Sequence, residues 1–359
     1  MVEWKKLGEV VGRNKGIPIT AGQMSELASK DGNVRVFAAG STIADIDESR
    51  LPKNCAHKLP SIIVKSRGYI DFEFYEKPFT HKNEMWSYSF DNKQEGKFIY
   101  YFLTTQTEYF RNKAKANSVK LPQLCVADTD NYLIPIPSLS EQNRIVGILD
   151  TFTASIDNLK QQIAQRRKQY EYYRDQLLDL EGKEGVEMKT LTEISVNKDR
   201  VRKPITSSKR KAGNYPYYGA SGIVDYVDGY IFDGDYLLIS EDGANLIARS
   251  TPIAFSITGK NWVNNHAHVL QFKDKATQKY VEIYLNMIDL EPWINGAAQP
   301  KLNQENLNKI LIPLPPLSEQ QRIVSILDTF EASIQNLEAQ LEQRQKQYEY
   351  YRNKLLSFE

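Results

Sequence analysis

Four carboxylates, Asp233, Asp235, Glu241 and Asp242, flank the apolar run at 236–240. Clustered acidic oxygens of this kind can hold magnesium for phosphodiester cleavage. No lysine stands at nuclease-like spacing beside them, and Asp-Gly pairs commonly serve turns, so turn and cap roles fit better. His266 and His268 alternate as two metal ligands on one strand face would, but no third histidine or cysteine pair lies near, and a strand-edge role is expected. The segment NYPYYG at 214–219 resembles an Asn-Pro-Pro-Tyr adenine-methylation signature, except that Tyr215 replaces its first proline and no glycine-rich cofactor loop precedes it. Gly259-Lys260 is followed by Asn261, and Ala254 stands where a phosphate-cradling loop needs its first glycine. Cys55 and Cys125 have neither metal-ligand nor redox spacing. The expectation is a chain with no catalytic residues, no metal and no cofactor of its own.

Binding chemistry is better represented. Net charge is +1, which excludes a globally basic surface, so any nucleic-acid face must be local. The densest basic stretch, 197–211, carries Lys198, Arg200, Arg202, Lys203, Lys209, Arg210 and Lys211 against Asp199 alone. Cations on an adaptable segment suit phosphate oxygens, and a solvated loop is the alternative. The loop 295–301 (NGAAQPK) offers Gln299, an amide able to pair with an adenine edge, beside Lys301 for a phosphate. Its counterpart at 117–123 offers Lys120 and Gln123. Lys65, Arg67 and Arg249 follow predicted strands, Lys260 and Asn261 sit in a Gly-Lys-Asn turn, and Arg13 and Lys15 sit in GRNKG, so each is a further candidate for DNA contact. Tyr215, Tyr217 and Tyr218 could stack on a base, but core packing is expected of them.

An internal repeat determines what must position these residues. Residues 133–180 and 311–358 align without a gap at an offset of 178, with 33 of 48 positions identical. Each copy opens on prolines (Pro135 and Pro137; Pro313, Pro315 and Pro316) and then Ser140-Glu141 or Ser318-Glu319, which predicts a helix start. Apolar residues follow at threes and fours: Ile145, Leu149, Phe152, Ile156, Leu159, Ile163, Tyr170, Tyr173 and Leu177 in the first copy. Ile323, Leu327, Phe330, Ile334, Leu337, Leu341, Tyr348, Tyr351 and Leu355 repeat the pattern in the second. That spacing predicts two long helices pairing as a coiled coil, each a rod of about 60 Å. The segments before them share little beyond their edges (VEWKKLGEV and VEMKTLTEI; Asn117, Pro122 and Leu124 against Asn295, Pro300 and Leu302). Both predict a mixed α/β module, with strands at 61–65, 236–240 and 268–272 and helices near 98–115 and 280–294.

A near-identical frame carrying two divergent modules resembles the specificity subunits of type I restriction-modification systems, and the resemblance covers essentially the whole length. The doubled LIPIPSLSEQNRIV and LIPLPPLSEQQRIV, the doubled KQYEYYR and the NGAAQPKL loop carry it. It implies an α+β fold with two target recognition domains, 1–137 and 182–315, separated by spacer helices 138–181 and 316–359 that form an antiparallel coiled coil. Each domain would read one half of a split sequence in double-stranded DNA. Two methyltransferase (modification) subunits and restriction motor-nuclease subunits would be the partners, supplying S-adenosylmethionine, ATP and magnesium chemistry. Two full helix copies suggest a complete pair of modules. The start MVEWKK lacks an apolar core and no stretch reaches a membrane-spanning length, so a cytoplasmic protein without membrane contact is expected. The alternative is a non-catalytic protein-protein scaffold whose modules do not read DNA.

Overall fold

The computed structural model describes residues 2–118, 120–296 and 299–358. Packing divides the chain into unit 1, Met1–Lys160 with Ala339–Glu359, and unit 2, Gln161–Glu338. The division falls inside the two long helices, not at their ends. Helices of eleven residues or more are, in chain order, α1 (Lys93–Thr105), α2 (Thr107–Asn117), α3 (Leu139–Leu178), α4 (Lys275–Met287) and α5 (Leu317–Leu355).

α3 and α5 start just past the proline clusters because a proline ring cannot continue a helix backwards. Glu141 and Glu319 sit in the first turns, where the helix dipole favours an anion, and each is forked by an arginine three residues on, Arg144 or Arg322. The first turn is tied back to the proline that follows the preceding strand in the same way in both copies. The buried amide of Gln142 donates to the Pro137 carbonyl at 3.0 Å, and that of Gln320 to the Pro315 carbonyl at 2.7 Å. Within unit 1 the first half of α3 lies against the end of α5, with Phe152 stacked on Tyr351 at 5.4 Å. Within unit 2 the repeat-related pair, Phe330 and Tyr173, stacks at the same 5.4 Å. The long helices therefore pack antiparallel. Ile145, Leu149, Ile323 and Leu327 are fully buried among their modules' core residues, which is why the seam begins well packed.

Unit 1 holds β1 (Glu3–Lys6), β2 (Arg13–Lys15), β3 (Val34–Phe37), β4 (Ile43–Ile46), β5 (Ser61–Lys65), β6 (Asp71–Tyr75), β7 (Phe79–His81), β8 (Trp86–Ser89) and β9 (Leu133–Ile136). They form sheets β1-β9, β2-β8-β5-β6 and β4-β3-β7. β5 reads SIIVK and is buried along most of its length, as a central strand covered on both faces must be. Phe98, Ile99 and Phe102 of α1 pack on it with Ile145 and Leu149 of α3 and Leu356 from the chain's end.

Unit 2 holds β10 (Glu187–Thr190), β11 (Ser195–Asn197), β12 (Ala212–Gly219), β13 (Gly222–Val227), β14 (Phe232–Asp233), β15 (Tyr236–Ser240), β16 (Ala254–Ile257), β17 (Lys260–Val263), β18 (Ala267–Phe272) and β19 (Leu311–Leu314). Sheet β11-β18-β15-β16 repeats the antiparallel order of β2-β8-β5-β6, and β10-β19 repeats β1-β9. The second four-stranded sheet, β13-β12-β17-β14, has a different composition from its three-stranded counterpart in unit 1.

The strands expected at 61–65 and 236–240 form as read, and that at 268–272 gains Ala267. The single helix expected near 98–115 is two helices meeting at Gln106. There Thr104, Thr105 and Thr107 bend their hydroxyls back to carbonyls three residues earlier, which competes with the helical ladder. The helix expected at 280–294 starts earlier, capped by Asp274, and ends at Met287. Pro292 then allows only a short 3-10 turn, Glu291–Trp293.

Candidate nucleic-acid interface

The same backbone frame is built in both units. In unit 2 the chain leaves β15 at Ser240 and turns at Gly243, whose φ of +110° favours glycine. The Gly243 amide donates to the Pro300 carbonyl at 3.1 Å, and the Leu302 amide to the Glu241 carbonyl at 2.8 Å. In unit 1 the chain leaves β5 at Lys65 and turns at Gly68, φ +77°. The Gly68 amide donates to Pro122 at 2.9 Å, and the Leu124 amide to Ser66 at 2.8 Å. Arg67 is thus bridged to Gln123, and Asp242 to Lys301, by one pattern. The loop closings that resembled one another in sequence are the partner segments of this frame.

Beneath the frame of unit 2 lies an ionic cluster. His268, wholly buried on β18, places Nδ1 2.6 Å from Asp199 and Nε2 2.8 Å from the Leu302 carbonyl. Asp199 also accepts from the Val269 amide at 2.8 Å. Arg202 donates to Glu241 at 2.6 Å and to the Ala267 carbonyl at 2.7 Å, and lies 3.2 Å from Asp199. Lys301 Nζ reaches Glu241 at 3.2 Å. Burial pushes the carboxyls of Asp199 and Glu241 up, but the His268 hydrogen bond and charge on the first, and Arg202 with His268 on the second, outweigh it and hold both below their ordinary values. Asp199, Glu241 and His268 present ligand atoms within 4.8 Å of one another. Arg202 and Lys301 already neutralise those oxygens, so the cluster's chemistry is that of an internal strut.

Several expected contact residues are taken up inside the protein. Arg202 is one. Arg249, at φ +50°, donates to the carbonyls of Leu285 and Ile288 at 3.3 and 2.8 Å and so closes the end of α4. Burial lowers its guanidinium from the ordinary value. Asn261 is fully buried in the inner strand β17, between β12 and β14. Arg210 lies over the Tyr217 ring at 4.6 Å and pairs with Asp225 at 3.3 Å. Lys65 pairs with Glu73 at 2.7 Å, whereas Arg13 stays exposed at the surface while lying 3.6 Å from Asp130. Exposed at the surface are Lys15, Arg67, Lys120, Gln123, Lys203, Lys209, Lys211, Lys260, Gln299 and Lys301, with Lys260 set 4.7 Å from the centre of the Tyr230 ring. Tyr217 is core, as expected, its hydroxyl accepting from the Ile205 amide.

The histidine and carboxylate readings change in detail. His268 is on an inner strand between β11 and β15, not at an edge. Asp233 and Asp235 precede β15 while Glu241 and Asp242 follow it, about 20 Å apart along an extended chain. A single magnesium cannot bring those four together. His266, exposed, is held by both oxygens of Asp242 at 2.9 and 3.0 Å. These two flank a cleft of about 610 Å³ that Thr206, Ser221 and Asn264 also line. Sequence reading did not place either residue at a binding face. The available signal was Asp242-Gly243 standing where Arg67-Gly68 stands in the other module.

Comparison with known proteins agrees with this duplicated architecture. The family described as "Type I restriction modification DNA specificity domain" matches residues 1–166 and 183–344. The specificity subunit of the Escherichia coli type I restriction enzyme EcoR124I/EcoR124II is 32% identical over 343 residues, covering 84% of this chain and 81% of that one. A Haemophilus influenzae protein assigned as a type I restriction enzyme specificity subunit is 43% identical over 188 residues, 50% of this chain and 48% of that protein's length. The crystal structure of the S subunit of a type I restriction-modification system from M. genitalium superimposes with a TM-score of 0.68 at 17% identity, covering 100% of this chain and 97% of that one. Among the described residues no helix is long and apolar enough to cross a membrane. With the family matched along nearly its whole length, the chain belongs to the type I restriction-modification DNA specificity subunits, the non-catalytic members of those complexes.

Proposed function

We propose that the two units read different halves of a split, asymmetric target in double-stranded DNA, and that the chain thereby directs two methyltransferase subunits, and the restriction subunits that join them, to that target. The observation that carries the reading is the frame common to both modules, closed by equivalent main-chain hydrogen bonds yet presenting Arg67 and Gln123 in one and Asp242 and Lys301 in the other. A constant frame with differing donors and acceptors is what reading two unlike base sequences requires. Exposed Lys203, Lys209 and Lys211 beside the frame of unit 2, and Lys120 beside that of unit 1, supply charges for phosphates. The complex would work in the cytoplasm, where its DNA lies.

Methylation mapping by long-read sequencing tests this, in a host expressing the chain with its neighbouring methyltransferase against the methyltransferase alone. One new split methyladenine motif, present only with the chain, is the expected result. No new motif with a competent methyltransferase would leave protein-protein scaffolding as the better account.

A further inference from the structure

Arg67, and His266 held by Asp242, combine exposure with an imposed backbone. Resting on the proposed DNA reading, we infer that Arg67 in unit 1, and His266 positioned by Asp242 in unit 2, are specificity-determining side chains, each reading base edges of a different half-site. Arg67 is exposed and, among the described residues, makes no ion pair. Its main chain cannot wander, because the amides of Gly68 and Leu124 close the bridge on either side of it. Two residues on, Tyr69 is 59% exposed and is fixed by Arg111, whose guanidinium lies 4.9 Å from the ring centre and donates to the hydroxyl at 2.9 Å. A fork with free donors on a rigid turn matches the paired acceptors N7 and O6 of guanine.

His266 is fixed at three points. Its amide donates to the Asn264 side chain at 2.8 Å, its carbonyl accepts from the Glu241 amide at 2.9 Å, and its Nδ1 faces the two Asp242 oxygens. The side chain is nonetheless 51% exposed, and the Asp242 contact leaves Nε2 for a ligand. A side-chain hydrogen bond near the surface adds little stability, and holding a ring in one orientation costs side-chain entropy. Such an arrangement is economical where it removes the ordering cost from a later binding step. Asp242 acts through the ring and is a positioning residue. The cleft of about 610 Å³ beside it, with Thr206, Ser221 and Asn264, gives neighbouring bases further polar partners.

The test is methylation mapping with the full chain and its methyltransferase, for wild type, Arg67→Lys, His266→Ala and Asp242→Asn, with unfolding midpoints measured alongside. R67K keeps the charge and loses the fork. Its discrimination should fall roughly ten- to a hundred-fold at one position of one half-motif, with the other half unchanged. H266A should alter the other half, and D242N the same position as H266A. Wild-type discrimination at every position in R67K and H266A overturns the inference, as does uniform weakening on all sequences, which would mark phosphate contacts. A wild-type chain giving no split motif defeats the DNA reading itself, which separates that failure from failure of the residue assignment.

Discussion

The Nε2 of His268 stands 2.8 Å from the main-chain carbonyl of Leu302, and the opposite nitrogen of the same ring stands 2.6 Å from Asp199. One buried side chain therefore links the start of the basic segment to the loop that closes the frame of unit 2. Replacing it, His268→Ala, leaves Asp199 nearly enclosed with one hydrogen-bonding partner fewer. The expected cost is about 3 kcal/mol, read by urea unfolding of the full chain. A loss under about 1 kcal/mol would mean that the link contributes little to the fold.

His81 makes unit 1 sensitive to mild acid. Burial is the main cause that lowers its ring to about 4, with the Lys82 carbonyl opposing and the neighbouring His57 adding to the shift. The folded ring is neutral, whereas the unfolded chain takes up a proton below its ordinary value near 6.5. Stability from this group is therefore full above about pH 6.5 and is lost as pH falls toward 4, by about 3 kcal/mol in all. Urea midpoints at pH 7 and pH 5 should differ less in His81→Asn than in the wild type. Equal pH slopes would remove His81 as the cause.

The exposed lysines beside the frame of unit 2 should act without regard to sequence. Lys203, Lys209 and Lys211 changed together to alanine should weaken binding to cognate and random duplexes alike. The slope of log K against log salt should decrease by about 0.9 for each phosphate that is no longer neutralised. Fluorescence anisotropy across a salt series reads both quantities. An unchanged slope would place these lysines away from the DNA.

Arg249 should matter to folding and not to DNA. It donates to two carbonyls at the end of α4, so Arg249→Ala leaves them without their partner and should cost about 1–2 kcal/mol. Affinity for duplex DNA, measured at a temperature where the variant is folded, should stay within twofold of the wild type. A larger loss would return this residue to the interface.

Periodic features were legible from sequence because their cause is local. The seam from Ile145 to Leu177 and the buried runs at 61–65 and 236–240 follow from spacing alone. Partner choice was not. Arg202 and Arg249 look like phosphate ligands in the string of letters, yet Arg202 is committed by Glu241 and Ala267, 39 and 65 residues away, and Arg249 by carbonyls 36 and 39 residues away. The shared frame escaped for another reason. Its helices repeat at an offset of 178, whereas Arg67 and Asp242 stand 175 apart, so a gapless alignment passes over them.

Leu356, with 3% of its surface exposed, sits in the same core as Phe98 and Ile145, and Phe358 meets Phe98 ring to edge at 6.0 Å. During synthesis, then, the module that emerges first is the one that finishes last. Unit 2 is a single continuous stretch and can close while the chain is still being made. Unit 1 must keep part of its apolar surface open until residues some 258 positions downstream have left the ribosome, so a ribosome that stops within α5 after Glu338 releases a chain whose completed half is the second.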